Sequence, residues 1–260
     1  QAIELFNSKG RIDGGQLKGV TANRNITAFS IAIKIPFVLY LIHVIKKTWK
    51  KLALGIIITL GLVSLSMIQS RASFIAVGLI VFAYITLQFT LYLKKNNKLK
   101  QLLNIGYLIA PLFLAILINQ TFLSKKGADA ISRAATISVS TRDNSINQRL
   151  RYYQDVLTHF SSNPIFGVGL GNWKLKSIDY DKNDINGYVV PYHAHSDFIQ
   201  LGAELGIVGF LLYLGVFIWA VYYAYRLIRF SQLSKDEKVF IFLIITALVV
   251  FSVDANLNFP

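Results

Sequence analysis

Cysteine is absent from the 260 residues, which excludes disulfides and any metal site built on thiolates. Charged side chains are scarce, at 15% of the chain, where a soluble domain carries about 25%. Acidic residues are scarcest: 13 Asp and Glu stand against 27 Lys and Arg, for a formal charge of +14. No internal repeat, heptad array or low-complexity tract is present. What the chain has instead is apolar residues, 54% of the total. The basic residues fall between apolar runs, which is a membrane-topology pattern and not a nucleic-acid footprint, so no nucleic-acid partner is expected. The chain opens on Gln1 without a charged leader and stops at Pro260 directly after an apolar segment. It is read as part of a longer membrane protein.

A helix needs about 20 apolar residues to cross a bilayer. Five segments meet this length or nearly do, at 27–45, 52–69, 72–93, 102–123 and 205–225, and a shorter sixth lies at 239–253. Basic clusters occupy alternate connections: Lys46, Lys47, Lys50 and Lys51; then Lys94, Lys95, Lys98 and Lys100; then Arg226, Arg229, Lys235 and Lys238. Six crossings put all three on one side, which the positive-inside rule makes cytoplasmic. Trp49, Trp219, Tyr222, Tyr223 and Tyr225 lie beside these clusters, where an aromatic belt belongs. The expected architecture is all-α: a polytopic transmembrane helical bundle with a large, partly helical external loop. Its parts are an external N-terminal segment with four spans (1–123), the loop (124–204), and two further spans (205–260).

Within the loop, Arg149, Tyr152, Tyr153, Val156, Leu157 and Phe160 recur at helical spacing and predict an amphipathic helix over 147–161. Pro164 ends it. Gly167, Gly169 and Gly171 form a run that needs unusual backbone angles or a close approach. Residues 174–190 read as a solvated loop, and Ser196 as the N-cap of a short helix leading into the fifth span.

Several groups in this polar loop are reactive types. His193 and His195 precede a membrane-entering helix; they suit a general base toward a hydroxyl or polar interfacial caps, and the residues alone leave both open. No further ligands stand at a metal-binding spacing beside them. Arg71 sits between two apolar spans, where an arginine marks a functional cavity or snorkels to headgroups. Arg149 and Arg151 lie near a helix start, an unhelpful place for cations unless an anion binds there. The glycine run resembles a phosphate cradle but lacks the dinucleotide spacing, and reads more simply as a tight packing turn. Asp179-Tyr180-Asp181 has the form of a metal-binding DxD, and with Asn183 opens like a calcium loop; Asp184 and Val190 break that pattern. Lys34, beside Pro36, faces a polar pocket or snorkels. These residues describe an outward-facing cationic site with histidines, suited to anionic lipid-linked or phosphorylated substrates.

The order of motifs resembles the O-antigen ligase and Wzy-type polymerase superfamily. The motifs are Ser70-Arg71-Ala72-Ser73; Arg149-Leu150-Arg151-Tyr152-Tyr153; Pro164-Ile165-Phe166-Gly167-Val168-Gly169; and His193-Ala194-His195-Ser196 followed by Gln200-Leu201 and Ala203 to Gly209. Serine stands at 196 where the family usually has Asn. Gly19 to Asn25 is similar to the family's Gly…Asn-x-Asn turn, and Asn256 to Pro260 to its Asn-Phe-Pro element.

This resemblance implies a GT-C-like membrane glycosyltransferase of the bacterial inner membrane with its active side external. It would use a glycan on undecaprenyl pyrophosphate as donor, with no cofactor and no metal. The acceptor would be a hydroxyl of lipid A-core, of another glycan or of a protein. His195, Arg71 and Arg149 would be catalytic; Arg151, His193, Gly167, Gly169, Asn23 and Asn25 would bind substrate. A polymerase is the alternative of the same chemistry. A flippase or exporter of a lipid-linked glycan is the alternative of another class, and a sensor would need an output module that the sequence does not contain.

Overall fold

The structure is a computed structural model that describes residues 17–21, 23–94, 97–135, 144–181 and 193–257. Among these residues every regular element is helical. The helices are α1 (Arg24–Ala32), α2 (Ile35–Val44), α3 (Thr48–Ile68), α4 (Arg71–Leu93), α5 (Lys98–Ile118), α6 (Ala130–Ala135), α7 (Asn144–Ser162), α8 (Trp173–Lys176), α9 (Ile178–Asp181), α10 (Asp197–Phe230) and α11 (Lys235–Leu257). Six stretches are long and apolar enough to cross a membrane. The protein is an all-α, polytopic membrane bundle.

The expected spans reappear with their ends extended into the flanking polar residues. The first is broken at Ile33-Lys34, because Pro36 has no amide to donate and its ring opposes the preceding turn. Lys34 is exposed there, on the bundle surface. The sixth is a full 23 residues, not the short segment expected. Its apolar stretch is lengthened by a charged first turn of Lys235, Asp236 and Glu237 and by a polar end, Asp254 to Leu257.

The chain forms two compact units, residues 1–137 with 223–254 and residues 138–222 with 255–260. In the first, α3 and α4 both pack along α5, and α1 lies against α3 and α4. Ile58, Leu62 and Leu65 of α3 and Ala76, Ile80 and Tyr84 of α4 recur every three or four residues and form the core with Leu39, Ile42 and Leu108. The small residues Ala72, Ser73 and Ala76 are buried at the start of α4, the residue type that close helix packing in a membrane favours. Leu52, Ile56, Leu60, Phe82 and Phe113 are exposed, as a face turned to lipid requires. In the second unit, Val156 of α7, Trp173 of α8, Ala194 and Ala203 form a small core with Tyr180 and Ile199 packed against it.

Residues 174–181 are not the solvated loop expected. Two four-residue helices fold there around the buried Trp173 and Ser177. The side chain of Asp181, residues Asn183, Asp184 and Val190, and the closing Asn258-Phe259-Pro260 lie outside the described residues.

Candidate active site

The second unit is built on one backbone break. Gly206 sits at φ 66, ψ −162, far from helical, and divides α10 into arms over 197–205 and 207–230. The arms fold against each other: the ring of Phe198 lies 4.9 Å from Tyr213 and 5.3 Å from Phe217. A straight helix would hold these residues more than ~20 Å apart at 1.5 Å rise per residue. Such a break frees backbone groups that must find partners. The Pro164–Gly171 turn supplies them. Val168 N–H donates to the Ala203 carbonyl at 3.1 Å, Gly169 N–H to the Glu204 carbonyl at 2.7 Å, and Ile207 N–H to the Pro164 carbonyl at 2.8 Å. Gly167 and Gly206 both have positive φ, and a Cβ on either would overlap backbone of the opposite segment. The two glycine-containing motifs are therefore halves of one interlock. Gly167 and Gly169, candidates for substrate binding on sequence grounds, have a packing role here, and the Gly169 amide is already engaged.

A relay of side chains runs from this interlock to the histidines. Gly171 N–H donates to Glu204 Oε2 at 2.9 Å, Gln200 Nε2 donates to Glu204 Oε1 at 3.0 Å, and Gln200 Oε1 accepts from Ala194 N–H at 3.2 Å. Glu204 is only 3% exposed, so both its oxygens need these donors. The Ala194 amide, between His193 and His195, is fixed by this chain.

His195 has φ 56, a left-handed conformation that few non-glycine residues adopt. Three neighbours hold it. Its imidazole stacks on Tyr152, with ring centroids 5.6 Å apart and planes 17° from parallel. Tyr153 donates its hydroxyl to the His195 carbonyl at 3.3 Å, and reaches the Asn256 carbonyl at 3.5 Å. Ser196, next in the chain, donates to Asn256 Oδ1 at 2.8 Å and accepts from Ile199 N–H, so it caps the following arm as expected. Burial lowers the His195 pKa below its usual 6.5, and the positive charge of Arg149, then His193, adds to the effect. The same Arg149 acts against burial at the Tyr153 hydroxyl, whose pKa is raised overall. Arg149 is half-buried, and among the described residues no carboxylate is paired with it. Because α7 starts at Asn144, Arg149 and Arg151 occupy its second turn, clear of the unfavourable N-terminal amides. Arg151 is exposed, with its guanidinium 6.0 Å from the Tyr152 ring.

Arg71, Asn23 and Asn25 belong to the first unit. Asn23 N-caps α1, accepting from Asn25 N–H at 2.8 Å. Gly19, at φ 60, brings the preceding turn against Thr27, whose hydroxyl donates to the Lys18 carbonyl at 2.6 Å. Arg71 opens α4 after a left-handed Gln69 and a buried Ser70. Gln69 holds this turn: its Nε2 donates to the Gly127 carbonyl at 3.0 Å, and its own carbonyl accepts from Arg133 Nε at 3.2 Å. Asn119, buried at the end of α5, fixes the Ala128 carbonyl and the Ala130 amide and so aims the short helix that carries Arg133.

A family model described as O-antigen ligase matches residues 54–214, more than half of the chain. The chain belongs to the O-antigen ligase family. No curated protein matches it. The matched stretch of this O-antigen ligase family member runs from α3 into the second arm of α10, and takes in Arg71, Arg149, the glycine turn and both histidines. Membership makes it a membrane glycosyltransferase of the ligase or polymerase type, acting on lipid-linked glycans and glycan acceptors.

Tyr152, Tyr153, Gln200, Glu204 and Asn256 carried no expected site role, although all lie inside the motifs quoted above. The signal was there: aromatic and amide groups beside a histidine serve to hold it. His159 carried none either. That ring is 1% exposed, contacts Trp173, and its Nδ1 lies 3.1 Å from the Tyr180 hydroxyl. Burial and Lys176 lower its pKa, so it is a neutral core histidine. Asp179, half of the DxD, pairs with Lys176 at 2.7 Å.

Proposed function

We propose that the protein transfers a glycan from undecaprenyl pyrophosphate to an acceptor hydroxyl at the external face of the bacterial inner membrane, in the manner of an O-antigen ligase. His195 takes the acceptor proton as the hydroxyl oxygen attacks the anomeric carbon; the glycosyl–phosphate bond breaks and the pyrophosphate leaves. The observation that carries this reading is the placement of His195, half-buried, stacked on Tyr152 and held at its carbonyl by Tyr153. A half-buried imidazole beside a cation is neutral near pH 7, which a general base requires, and the stack with Tyr152 orients it.

Arg149 acts on the leaving pyrophosphate, since a half-buried guanidinium without an acidic partner is suited to a phosphate's bidentate oxygens. Arg71 supplies a second cation to the same leaving group, and the arginines take the charge that a metal bears in other transferases. Preorganised donors of this kind are worth roughly 3–4 kcal/mol each. Arg151, His193, Asn23 and Asn25 contact the donor or acceptor sugars. The acceptor is lipid A-core; polymerisation onto another lipid-linked glycan, or transfer to a protein hydroxyl, uses the same steps with a different nucleophile. Incubating the membrane-embedded protein with the lipid-linked glycan and each acceptor separates these, because the mass of the product names the acceptor.

A further inference from the structure

The first unit contains a second polar site, at the end of the bundle that carries the basic loops. Asn104 of α5 is fully buried and joins three helices: its Oδ1 accepts from Lys51 Nζ at 3.3 Å, and its Nδ2 lies 3.3 Å from His43 Nδ1 and 3.4 Å from Gln88 Oε1. His43 Nε2 in turn lies 3.3 Å from Asp236 of α11. This chain leads to a cavity of about 200 Å³ lined by His43, Lys100, Gln101, Lys235 and Asp236, with Leu91 and Val239 as its apolar wall.

Two observations give the cavity a ligand of one sign. Lys51 is only 9% exposed, and among the described residues no carboxylate pairs with it or with Lys100. Lys100 lines the cavity and Lys51 lies behind it, close enough for their like charges to act on one another, so an anion in the cavity relieves both. The second observation is helix direction. α5 begins at this cavity, capped at Asn97 and with no acidic residue in its first turn, and turns the positive end of its dipole toward it, whereas α11 answers its own positive end with Asp236 and Glu237. Asp236, the one carboxylate in the lining, is engaged by His43.

We propose that this cavity is a phosphate-binding site, occupied by the headgroup phosphate of an anionic phospholipid. Lysine ammonium groups and helix N-termini are the usual holders of phosphate. The apolar wall and the interfacial position favour a lipid over a soluble phosphate, as in other basic pockets between transmembrane helices. The site lies at the opposite end of α3 and α4 from Arg71, and it stands or falls apart from the glycan-transfer reading.

The test is native mass spectrometry of the full chain in detergent with phosphatidylglycerol, paired with thermal melting in inorganic phosphate. Wild type is compared with Lys100→Gln/Lys235→Gln, and with Lys46→Gln/Lys47→Gln, which removes the same charge from another basic loop. Both pocket lysines are at least partly exposed, so the chain should fold; Lys100→Glu alone is a second variant. Phosphatidylglycerol adducts falling at least fivefold in the pocket variants and not in the control support the lipid site. A phosphate-dependent melting shift confined to proteins with an intact pocket, with lipid adducts unchanged, supports the site with a soluble phosphate instead. Equal responses in wild type and pocket variants, or an equal loss in the control, overturn it.

Discussion

The imidazole of His195 lies on the ring of Tyr152, centroids 5.6 Å apart and nearly parallel. Tyr152 comes from α7 and His195 from the turn before α10, so one stack ties the arginine-bearing helix to the proposed base. The pH behaviour of transfer follows from it. His195 works when neutral, and its pKa lies below the usual 6.5 through burial and Arg149. Transfer should be level through pH 7 and lose rate only as pH falls below about 6.5. Arg149→Gln removes one lowering influence, so its acid limb should move to higher pH, along with a fall in rate of about a hundredfold. Rate–pH profiles of the two proteins measure this; an unmoved limb separates Arg149 from His195.

The interlock at Gly206 predicts unequal glycine substitutions. A Cβ at Gly167 would overlap Ala203 and Glu204 backbone, whereas at Gly171 nothing lies within 4 Å. Both have positive φ, so Gly171→Ala should cost only about 1–2 kcal/mol of conformational strain. Gly167→Ala adds a steric clash with backbone and should cost clearly more. Thermal melting in detergent orders them, and equal losses would argue against the interlock.

Glu204→Gln puts an amide where two donors converge, Gly171 N–H and Gln200 Nε2. One contact becomes a donor–donor clash, costing on the order of 1–3 kcal/mol in a buried site. Transfer should fall about tenfold or more while the helical content is kept, because the relay orients the histidine turn and does not build the bundle. Circular dichroism alongside the rate distinguishes the two.

His159 predicts an acid-sensitive fold. Its folded pKa is depressed by burial, so the neutral ring's contribution is fully present above about 6.5 and is lost as pH falls below it. His159→Phe keeps an aromatic ring but gives up the contact with Tyr180, worth about 1 kcal/mol. The variant should melt slightly lower than wild type at pH 8 and lose less stability on acidification to pH 5. Some acid sensitivity should remain, because His195 is depressed in the same direction.

The spans were legible because hydropathy runs and alternating basic loops are carried residue by residue along the chain. Elements made by long-range partners were not. Nothing near Trp173 in sequence says that His159 and Tyr180 will enclose it, so two four-residue helices read as loop. Gly206 reads as one more glycine in an apolar span until Pro164 and Gly169 are seen to satisfy its broken turn. Of the candidate residues, the structure gathers Arg149, His193 and His195 in one unit and assigns Arg71, Asn23 and Asn25 to the other. The chain of contacts from Lys51 to Asp236 was not legible in sequence, since its members lie on five separate helices.

The most direct test is covalent transfer itself. Membranes holding wild type, His195→Gln or Arg71→Ala would be given undecaprenyl-pyrophosphate glycan and lipid A-core in EDTA, and the products read by mass. The account predicts a glycan joined to the acceptor by wild type despite the chelator, and at least about a hundredfold less by either variant. Donor that binds without any covalent product would contradict it and favour a flippase, and wild-type rates from a folded His195→Gln protein would remove that residue as the base.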